Sequence, residues 1–254
     1  MDYERPYYED LDYRPYLLYV VFGVDGSQME VSRERHRADE FPEGLRVALY
    51  RKPKHSEYMD ALVGGTFGEV LGSSNPLLYK AIRNTEQWVV IQGEVERDSD
   101  LHYLRNVIGC IQSLVEKGAV AVLDYQTILL YAPSEWTSMI FEPSFEPWVH
   151  VVILTSKMGD GSIWLHTRGM RKFGRPDVSF EGVPKDRIEN ACQIINQMIY
   201  YGAQGAFFSR PVKLHTRDDS TYVVKPEFVD DMDNFDFNNS YYRVLWSECK
   251  QEAP

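Results

Sequence analysis

Short apolar runs bounded by glycine, proline or charged residues recur along the chain, and this pattern predicts β-strands. The runs are rich in β-branched and aromatic residues, as in the stretch LLYVVFGV. They predict strands over residues 17–24, 45–50, 88–95, 119–123, 127–131 and 241–246.

Two longer segments have apolar residues at the three- and four-residue spacing of an amphipathic helix. The first covers residues 99–117, with Asp98 or Ser99 as its N-cap and Gly118 as its C-terminal stop. The second covers residues 184–201 and carries a single apolar stripe. These are the two main helices that the sequence predicts.

A β-hairpin is predicted in the middle of the chain. Residues 148–155 are apolar on both faces, as expected of an interior strand. The segment KMGDG at residues 157–161 supplies a turn, and residues 162–167 return as the second strand.

The order of these elements predicts an α+β protein, in which a mostly antiparallel sheet is covered by the two main helices and the N-terminal region adds extra strands. We place an N-terminal lobe at residues 1–87, either separate from the rest of the chain or continuous with it. The main α+β domain then covers residues 88–254.

Two segments resemble ligand-binding loops but lack the residues that such loops need. The glycine-rich residues 64–75 are typical of a flexible connector or of a loop that approaches another group closely. A phosphate-binding loop is disfavoured, because it needs a lysine and then a hydroxyl residue directly after its last glycine, and Glu69 follows Gly68. Residues 218–239 carry seven carboxylates against Lys225 alone. They lack the central glycine and closing glutamate of a calcium-binding loop, so we predict a solvated acidic segment.

Composition narrows the classes of function. The 254-residue chain has a formal net charge of −11, which disfavours general nucleic-acid binding. No apolar run reaches the roughly eighteen residues that cross a bilayer, and the acidic, tyrosine-rich start of the chain is unlike a signal peptide. Three widely spaced cysteines indicate neither a disulfide framework nor a zinc site, so we expect a soluble, cytoplasmic protein.

The segment that departs most from this acidic composition is GSIWLHTRGMRKFGRPD, at residues 161–177. Its cationic residues lie within eight positions of one another, and they are Arg168, Arg171, Lys172 and Arg175. This local reversal of charge indicates either an anion or acidic partner that binds there, or internal pairing with the surplus carboxylates.

The strand before these cations adds further candidate residues. Alternate side chains of a strand share a face, so Trp164, His166 and Arg168 project from one side. If the hairpin pairs even-numbered residues with even-numbered residues, His150 lies on the same face as His166 and completes a polar pocket. The other register removes this pocket.

Three roles are open to this basic segment. Interfaces favour the mixture of tryptophan, methionine and arginine found here. In an enzyme acting on a small anionic substrate, His166 would transfer a proton and Arg168 would hold the anion. In a structural role, the arginines would pair with Asp177, Glu181 or the acidic segment.

We adopt the first role, a non-enzymatic cytoplasmic binding or regulatory module, and keep the enzyme as the alternative. The module would hold an acidic protein or a small anion through a basic and aromatic surface formed by Trp164, His166, Arg168, Arg171, Lys172 and Arg175. The histidines lack metal-ligand spacing and no cofactor-binding motif is present, so we predict neither a metal nor a cofactor. The sequence assigns no catalytic residue and no oligomeric state.

Part of the chain resembles an uncharacterised bacterial family, domain of unknown function 4261, over about residues 88–247. The resemblance lies in the segments GAVAVLDYQTILLYAPSEW, VHVVIL, WLHTRGMRKFGRPDVSF and NSYYRVLW. Its shared pattern is Thr-x-Gly followed by Phe-Gly-x-Pro, here Thr167, Gly169, Phe173, Gly174 and Pro176. Such residues suit a turn, a packed aromatic ring and a change of chain direction. The resemblance implies shared structure and no assigned activity, and the basic residues lie outside the matching positions.

Overall fold

The computed structural model describes residues 3–252, which fold into two compact units. The first consists of residue 3 and residues 16–145, and the second of residues 4–15 and the described residues from 146 onward. Helices and mostly antiparallel strands occur together, which confirms the predicted α+β class. No helix in the described range is long and apolar enough to span a membrane.

The first unit is built on one five-stranded sheet. Its strands are β1 (Tyr16–Phe22), β2 (Leu45–Arg51), β3 (Gln87–Glu94), β4 (Ala121–Asp124) and β5 (Leu129–Tyr131). Its helices are α1 (Arg33–His36), α2 (Ser56–Leu62), α3 (Gly65–Ser74), α4 (Pro76–Arg83), α5 (His102–Glu116) and α6 (Pro133–Trp136), which a π-helical turn continues to Phe141. The strand order is β2-β3-β1-β4-β5, with antiparallel neighbours throughout.

The division between the units falls after Phe145, whereas the sequence placed a boundary after residue 87. Strand pairing accounts for the difference. Strand β3 lies between β1 and β2, and β4 pairs with the other edge of β1. Hydrogen bonds therefore join the middle of the chain to its N-terminal strands in one sheet.

Helices α2, α3 and α4 cover one face of this sheet. Their side chains Met59, Leu71 and Ile82 pack in one cluster with residues of β1 and β3. Leu17 and Tyr19, which belong to the alternate face of β1, are buried as well. Helix α5 contacts β1 and β4. Apolar side chains on both faces of the sheet are thus removed from water.

Within the glycine-rich segment 64–75, residues Gly65–Ser74 form helix α3, so the prediction of a flexible connector or loop is wrong. Close packing explains why one of its glycines, Gly68, lies inside the helix. A Cβ atom there would lie 2.6 Å from the hydroxyl oxygen of Tyr79 and 2.3 Å from the carbonyl oxygen of Val63. The Tyr79 hydroxyl donates a hydrogen bond to that carbonyl at 2.9 Å. Close packing against α4 outweighs the low helix propensity of glycine.

The first predicted main helix is confirmed as α5, but it begins later than predicted. The carboxylate of Asp100 accepts the backbone N–H of His102 at 2.8 Å, so the cap predicted at Asp98 or Ser99 lies before the helix. Gly118, with a φ of +97°, follows the helix end as predicted.

The second unit contains two sheets and one long helix. Its strands are β6 (Val152–Lys157), β7 (Ile163–Arg168), β8 (Asp177–Val183), β9 (Val212–His215), β10 (Thr221–Val224), β11 (Glu227–Val229), β12 (Tyr241–Leu245) and β13 (Lys250–Glu252). The sheet orders are β11-β12-β8-β7-β6 and β13-β10-β9. A 3-10 turn over Lys185–Arg187 leads into α7 (Ile188–Ala203), which confirms the second main helix. The pair β8 and β12 is parallel.

Strand β6 corrects the prediction of an interior strand at residues 148–155. Residues Pro147–His150 form a 3-10 turn, and β6 begins at Val152 on the edge of its sheet. Proline fixes φ near the value of such a turn. Residues Pro147–His150 therefore turn, and the strand starts later than the apolar pattern predicted. Leu154 is 39% exposed.

Part of the predicted acidic segment is also ordered differently. Strands β10 and β11 lie inside residues 218–239. Residues 230–238, called the acidic loop below, remain between β11 and β12.

Candidate functional site

The hairpin of β6 and β7 has the even-with-even register, since Leu154 lies opposite His166. His150, however, precedes β6, and its ring packs edge-on against Phe173 with 6.4 Å between ring centroids. Strand alternation therefore does not place His150 beside His166. The polar pocket predicted from His150 and His166 therefore loses its geometric basis.

His166 is held between aromatic rings. It is only 4% exposed, stacks on Trp164 at 4.0 Å between centroids, and meets Phe237 edge-on at 5.4 Å. Its Nδ1 atom has no hydrogen-bond partner among the described residues. Burial lowers the pKa of His166, Arg168 lowers it further, and Asp236 acts in the opposite direction. The ring is therefore neutral at neutral pH.

Arg168 and Arg171 donate hydrogen bonds to backbone carbonyl oxygens of the acidic loop. The Nη1 atom of Arg168, a buried residue, donates to the carbonyl oxygens of Phe235 at 2.8 Å and Asp236 at 3.1 Å. The half-buried Arg171 donates through Nη1 to the carbonyl oxygen of Asn238 at 3.0 Å. Two arginines, one at the end of β7 and one in the 3-10 turn Met170–Phe173 that follows it, thus hold the backbone of this loop.

Arg175 makes a similar set of bonds within the second unit. Its guanidinium donates to the carbonyl oxygens of Glu9, Gly174 and Gly205, and Arg175 is 2% exposed. Lys172 is fully buried and its charge contributes to the low pKa of the buried His150, for which burial is the main cause.

The basic residues consequently do not form the exposed patch that the sequence predicts. His166, Arg168, Lys172 and Arg175 are buried, whereas Trp164 and Arg171 are half-buried. The physical reason is that irregular backbone leaves carbonyl groups without ladder partners, and a long side chain with five N–H donors can satisfy several of them. Of these six residues, Trp164 and Arg171 retain appreciable exposure.

A buried carboxylate stands at the start of β8. Asp177 accepts hydrogen bonds from the Thr167 hydroxyl at 2.7 Å, from the Asn239 amide at 2.8 Å and from the Met170 backbone N–H at 3.3 Å. Burial raises the pKa of Asp177 to about 6, although these donors and Arg168 oppose the rise. Asp177 therefore does not form the surface ion pair considered from the sequence, whereas Glu181 does pair, with Arg243.

The acidic loop is folded by its own hydrogen bonds as well as by the two arginines. The Asn234 side-chain oxygen accepts the Asp236 N–H at 3.0 Å, and the Asn234 carbonyl accepts the Asn238 N–H at 2.7 Å. The Asn234 side-chain amide donates to the Asp231 carboxylate at 3.2 Å. The loop backbone is thus tied at several successive residues.

Two phenylalanines in this loop have opposite environments. Phe237 is 5% exposed and stacks on Tyr241 with 4.2 Å between centroids. Phe235 is 96% exposed, more than any other large apolar side chain described. The side chains of Asp230, Asp233 and Asp236 are exposed around it in sequence. The loop therefore presents one aromatic ring to water among carboxylates.

Sequence reasoning missed Phe235 and Asn239. The signal for Phe235 was present in DNFDFNN, because fully solvated acidic segments are poor in aromatic residues and this one has two phenylalanines. For Asn239 no comparable signal exists, since its contact with Asp177 joins residues far apart in sequence. Across residues 3–252, no group of three or more histidine, cysteine or acidic side chains is arranged to hold a metal ion.

Comparisons of the chain with models of protein families, with curated proteins and with solved structures give no match. The resemblance to the bacterial family of unknown function thus stays an expectation from the sequence.

Proposed function

We propose that this chain is a non-enzymatic binding module whose contact surface is the acidic loop, residues 230–238, with Phe235 at its centre. One observation carries the proposal. The Phe235 side chain is almost completely exposed, while the carbonyl oxygen of the same residue is held by the buried Arg168.

An exposed aromatic ring on a fixed loop has the properties of an interface anchor. Burying a phenylalanine against a partner removes on the order of 150–200 Å² from water and contributes about 2–3 kcal/mol. Because the loop backbone is already tied, little conformational entropy is lost on binding. Aromatic anchors surrounded by polar residues dominate many protein interfaces.

The charge around Phe235 sets the chemistry of the partner. The exposed carboxylates Asp230, Asp233 and Asp236 favour a cationic partner with an apolar pocket. This is opposite in sign to the acidic partner predicted from the sequence, because the arginines that suggested that partner are buried or half-buried. The proposal keeps the cytoplasmic location, which the unpaired cysteines Cys110, Cys192 and Cys249 support.

The alternative, an enzyme acting on a small anion, has less support in the geometry. His166 is buried between aromatic rings, and Arg168 is engaged with two carbonyl oxygens. Anion binding by Arg168 would have to use a buried guanidinium that already donates through Nη1 to these two carbonyl oxygens.

The test is affinity capture from an extract of the source cells with three forms of the chain. The forms are wild type, Phe235→Ser and Leu77→Ser. Leu77, on α4, is 84% exposed, so its substitution removes a comparable exposed apolar side chain elsewhere. Quantitative mass spectrometry compares the proteins retained by each form, and thermal melts establish that all three are folded.

We expect a partner with basic character that wild type and Leu77→Ser retain and Phe235→Ser loses. Its retention should weaken as salt rises, because charges on both surfaces become screened. Equal retention by all three forms, or a specific partner that is acidic, would contradict the proposal.

A further inference from the structure

The outer edge of strand β2 in the first unit is open for pairing over its central residues. β2 ends its sheet and pairs only with β3 among the described strands. The Lys52 N–H donates to the Glu86 carbonyl at 2.9 Å, which continues the β2–β3 ladder. Even-numbered residues of β2 therefore direct their backbone groups to β3, and odd-numbered residues direct theirs outward.

The two ends of this outer edge are already closed. The Arg51 N–H donates to the Nδ1 atom of His55 at 3.0 Å, and the Leu45 N–H donates to the Pro42 carbonyl at 3.4 Å. Between them, the outward N–H and C=O groups of Val47 and Leu49 make no hydrogen bond within residues 3–252. The open part of the edge is thus two residues that each present a donor and an acceptor.

The side chains of these two residues are also unusual for an exposed edge. Val47 is 37% exposed and Leu49 is 40% exposed, whereas Ala48 and Tyr50 on the other face pack against the core. Sheet edges are usually protected by charged or polar side chains. The edge strand β6 of the second unit is more polar, since Thr155, Ser156 and Lys157 are exposed along it beside Leu154.

We infer that β2 pairs with β2 of a second copy of this chain, antiparallel, across a two-fold axis at Ala48. This axis places Val47 opposite Leu49 of the second copy, and the same pair recurs on the other side of the axis. Both residues have outward backbone groups, so four N–H···O=C bonds form and the apolar side chains meet. On the other face, Arg46 lies opposite Tyr50 of the second copy, where a cation can contact an aromatic ring.

Neighbouring axes use the edge less well. An axis at Val47 places Leu49 opposite Leu45, and one at Leu49 places Val47 opposite Arg51. The N–H groups of Leu45 and Arg51 are already bound by Pro42 and His55. Only the axis at Ala48 places both open residues of one copy opposite open residues of the other. This self-complementarity favours a second copy over an unrelated extended peptide.

The dimer should be weak. A single strand pair buries less than the roughly 1,200 Å² of a stable protein–protein interface, so we expect a dissociation constant in the micromolar range. The net charge of −11 opposes association, and added salt should therefore strengthen the dimer by screening that repulsion. The acidic loop plays no part in this inference, so the two proposals can fail separately.

Sedimentation velocity over about 1–100 μM, a range that brackets such a constant, tests the inference on the full chain. We expect a monomer–dimer equilibrium for wild type and a loss of affinity of at least about tenfold in Leu49→Lys, because a charge then faces the apolar pair. Leu154→Lys is the matched control, since Leu154 is 39% exposed on the other edge strand, β6. Thermal melts confirm folding of both variants.

A single-cysteine substitution tests the register. Residue 48 faces itself across the axis at a close, non-hydrogen-bonded position, so Ala48→Cys should form an intermolecular disulfide rapidly under mild oxidation. Arg46→Cys, which faces residue 50, should not. A wild type that stays monomeric, a dimer unaffected by Leu49→Lys, or equal cross-linking of the two cysteine variants would overturn the inference.

Discussion

Two segments of the second unit carry opposite charges and have opposite environments. The basic segment, residues 168–175, is mostly buried, while the acidic loop, residues 230–238, is mostly exposed. They are joined by arginine donors and backbone carbonyl acceptors, as in the bond from Arg168 to the Phe235 carbonyl. The cationic cluster in the sequence therefore marks side chains that support the backbone of another segment. The acidic loop that these side chains contact supplies the exposed surface.

This difference follows from hydrogen-bonding requirements. Carbonyl groups of irregular backbone cannot bond within a ladder, and burying them unsatisfied costs about 1–3 kcal/mol each. An arginine can satisfy several such groups while its aliphatic stem packs against apolar side chains. An ionised carboxylate has no N–H and cannot donate to a backbone carbonyl, so the aspartates of the loop are better stabilised by hydration than by burial.

The largest effect that tests this comparison is expected for Arg175→Met. The substitution keeps most of the side-chain volume but removes donors to the carbonyl oxygens of Glu9, Gly174 and Gly205. We expect the free energy of unfolding to fall by about 3–5 kcal/mol, since buried acceptors lose their partner. Urea denaturation followed by circular dichroism measures the change.

Arg243→Met is the matched control for this substitution. Arg243 pairs with Glu181 at 3.1 Å, but its side chain is 43% exposed. An exposed ion pair contributes less than about 1 kcal/mol, so the control should change stability little. If Arg175→Met and Arg243→Met had equal effects, the structural role assigned to the buried arginine would be wrong.

The same comparison shows what the sequence could and could not predict. Apolar periodicity identified β1, β3, α5 and α7, because burial of a strand face or a helix stripe depends on local spacing. It failed at β6, where Pro147 starts a turn and the apolar run ends on a sheet edge. It also failed at α3, whose Gly68 is required by the contact with Tyr79.

The candidate site was predictable only in part. The alternation of Trp164, His166 and Arg168 on β7 follows from strand geometry, whereas the sequence left the register of the hairpin open. The burial of Arg168 depends on carbonyl oxygens of residues 235 and 236, which lie far along the chain. No local pattern reports a partner at that distance, so the direction in which a basic residue points could not be predicted.

An intermediate effect is expected from the pH dependence of Asp177. Its pKa in the folded chain is about 6, raised by burial from an ordinary value of 3.8. A raised carboxyl pKa means that the folded state holds the proton more tightly than the unfolded state does. Its contribution to stability is therefore full below about pH 4 and is lost as pH rises to about 6 and above, by up to about 3 kcal/mol.

Asp177→Asn isolates this contribution, because an amide does not titrate. The stability of wild type minus that of Asp177→Asn should fall between about pH 4 and pH 7. Urea unfolding at several pH values measures this difference, in which the other titrating groups largely cancel. A difference that stays constant or grows with pH would show that the folded-state pKa of Asp177 is not raised.

The smallest effect on stability is expected for Phe235→Ala. The ring is 96% exposed, so its removal should change the free energy of unfolding by no more than about 0.5 kcal/mol. Phe237→Ala, two residues along the same loop, is the positive control and should cost about 3 kcal/mol or more, since that ring is buried against Tyr241. Thermal or urea unfolding of both variants gives the comparison.

A near-zero change in the free energy of unfolding for Phe235→Ala would also indicate that the ring has a role other than stabilising the fold. An aromatic ring that stays in water and contacts no neighbour contributes no hydrophobic stabilisation to the fold. The loop keeps its path through carbonyl oxygens that bind Arg168 and Arg171, and these bonds do not depend on the residue-235 side chain. A loss of about 2 kcal/mol or more for Phe235→Ala would instead mean that the ring supports the fold. The acidic loop would then lose the residue on which its binding role rests.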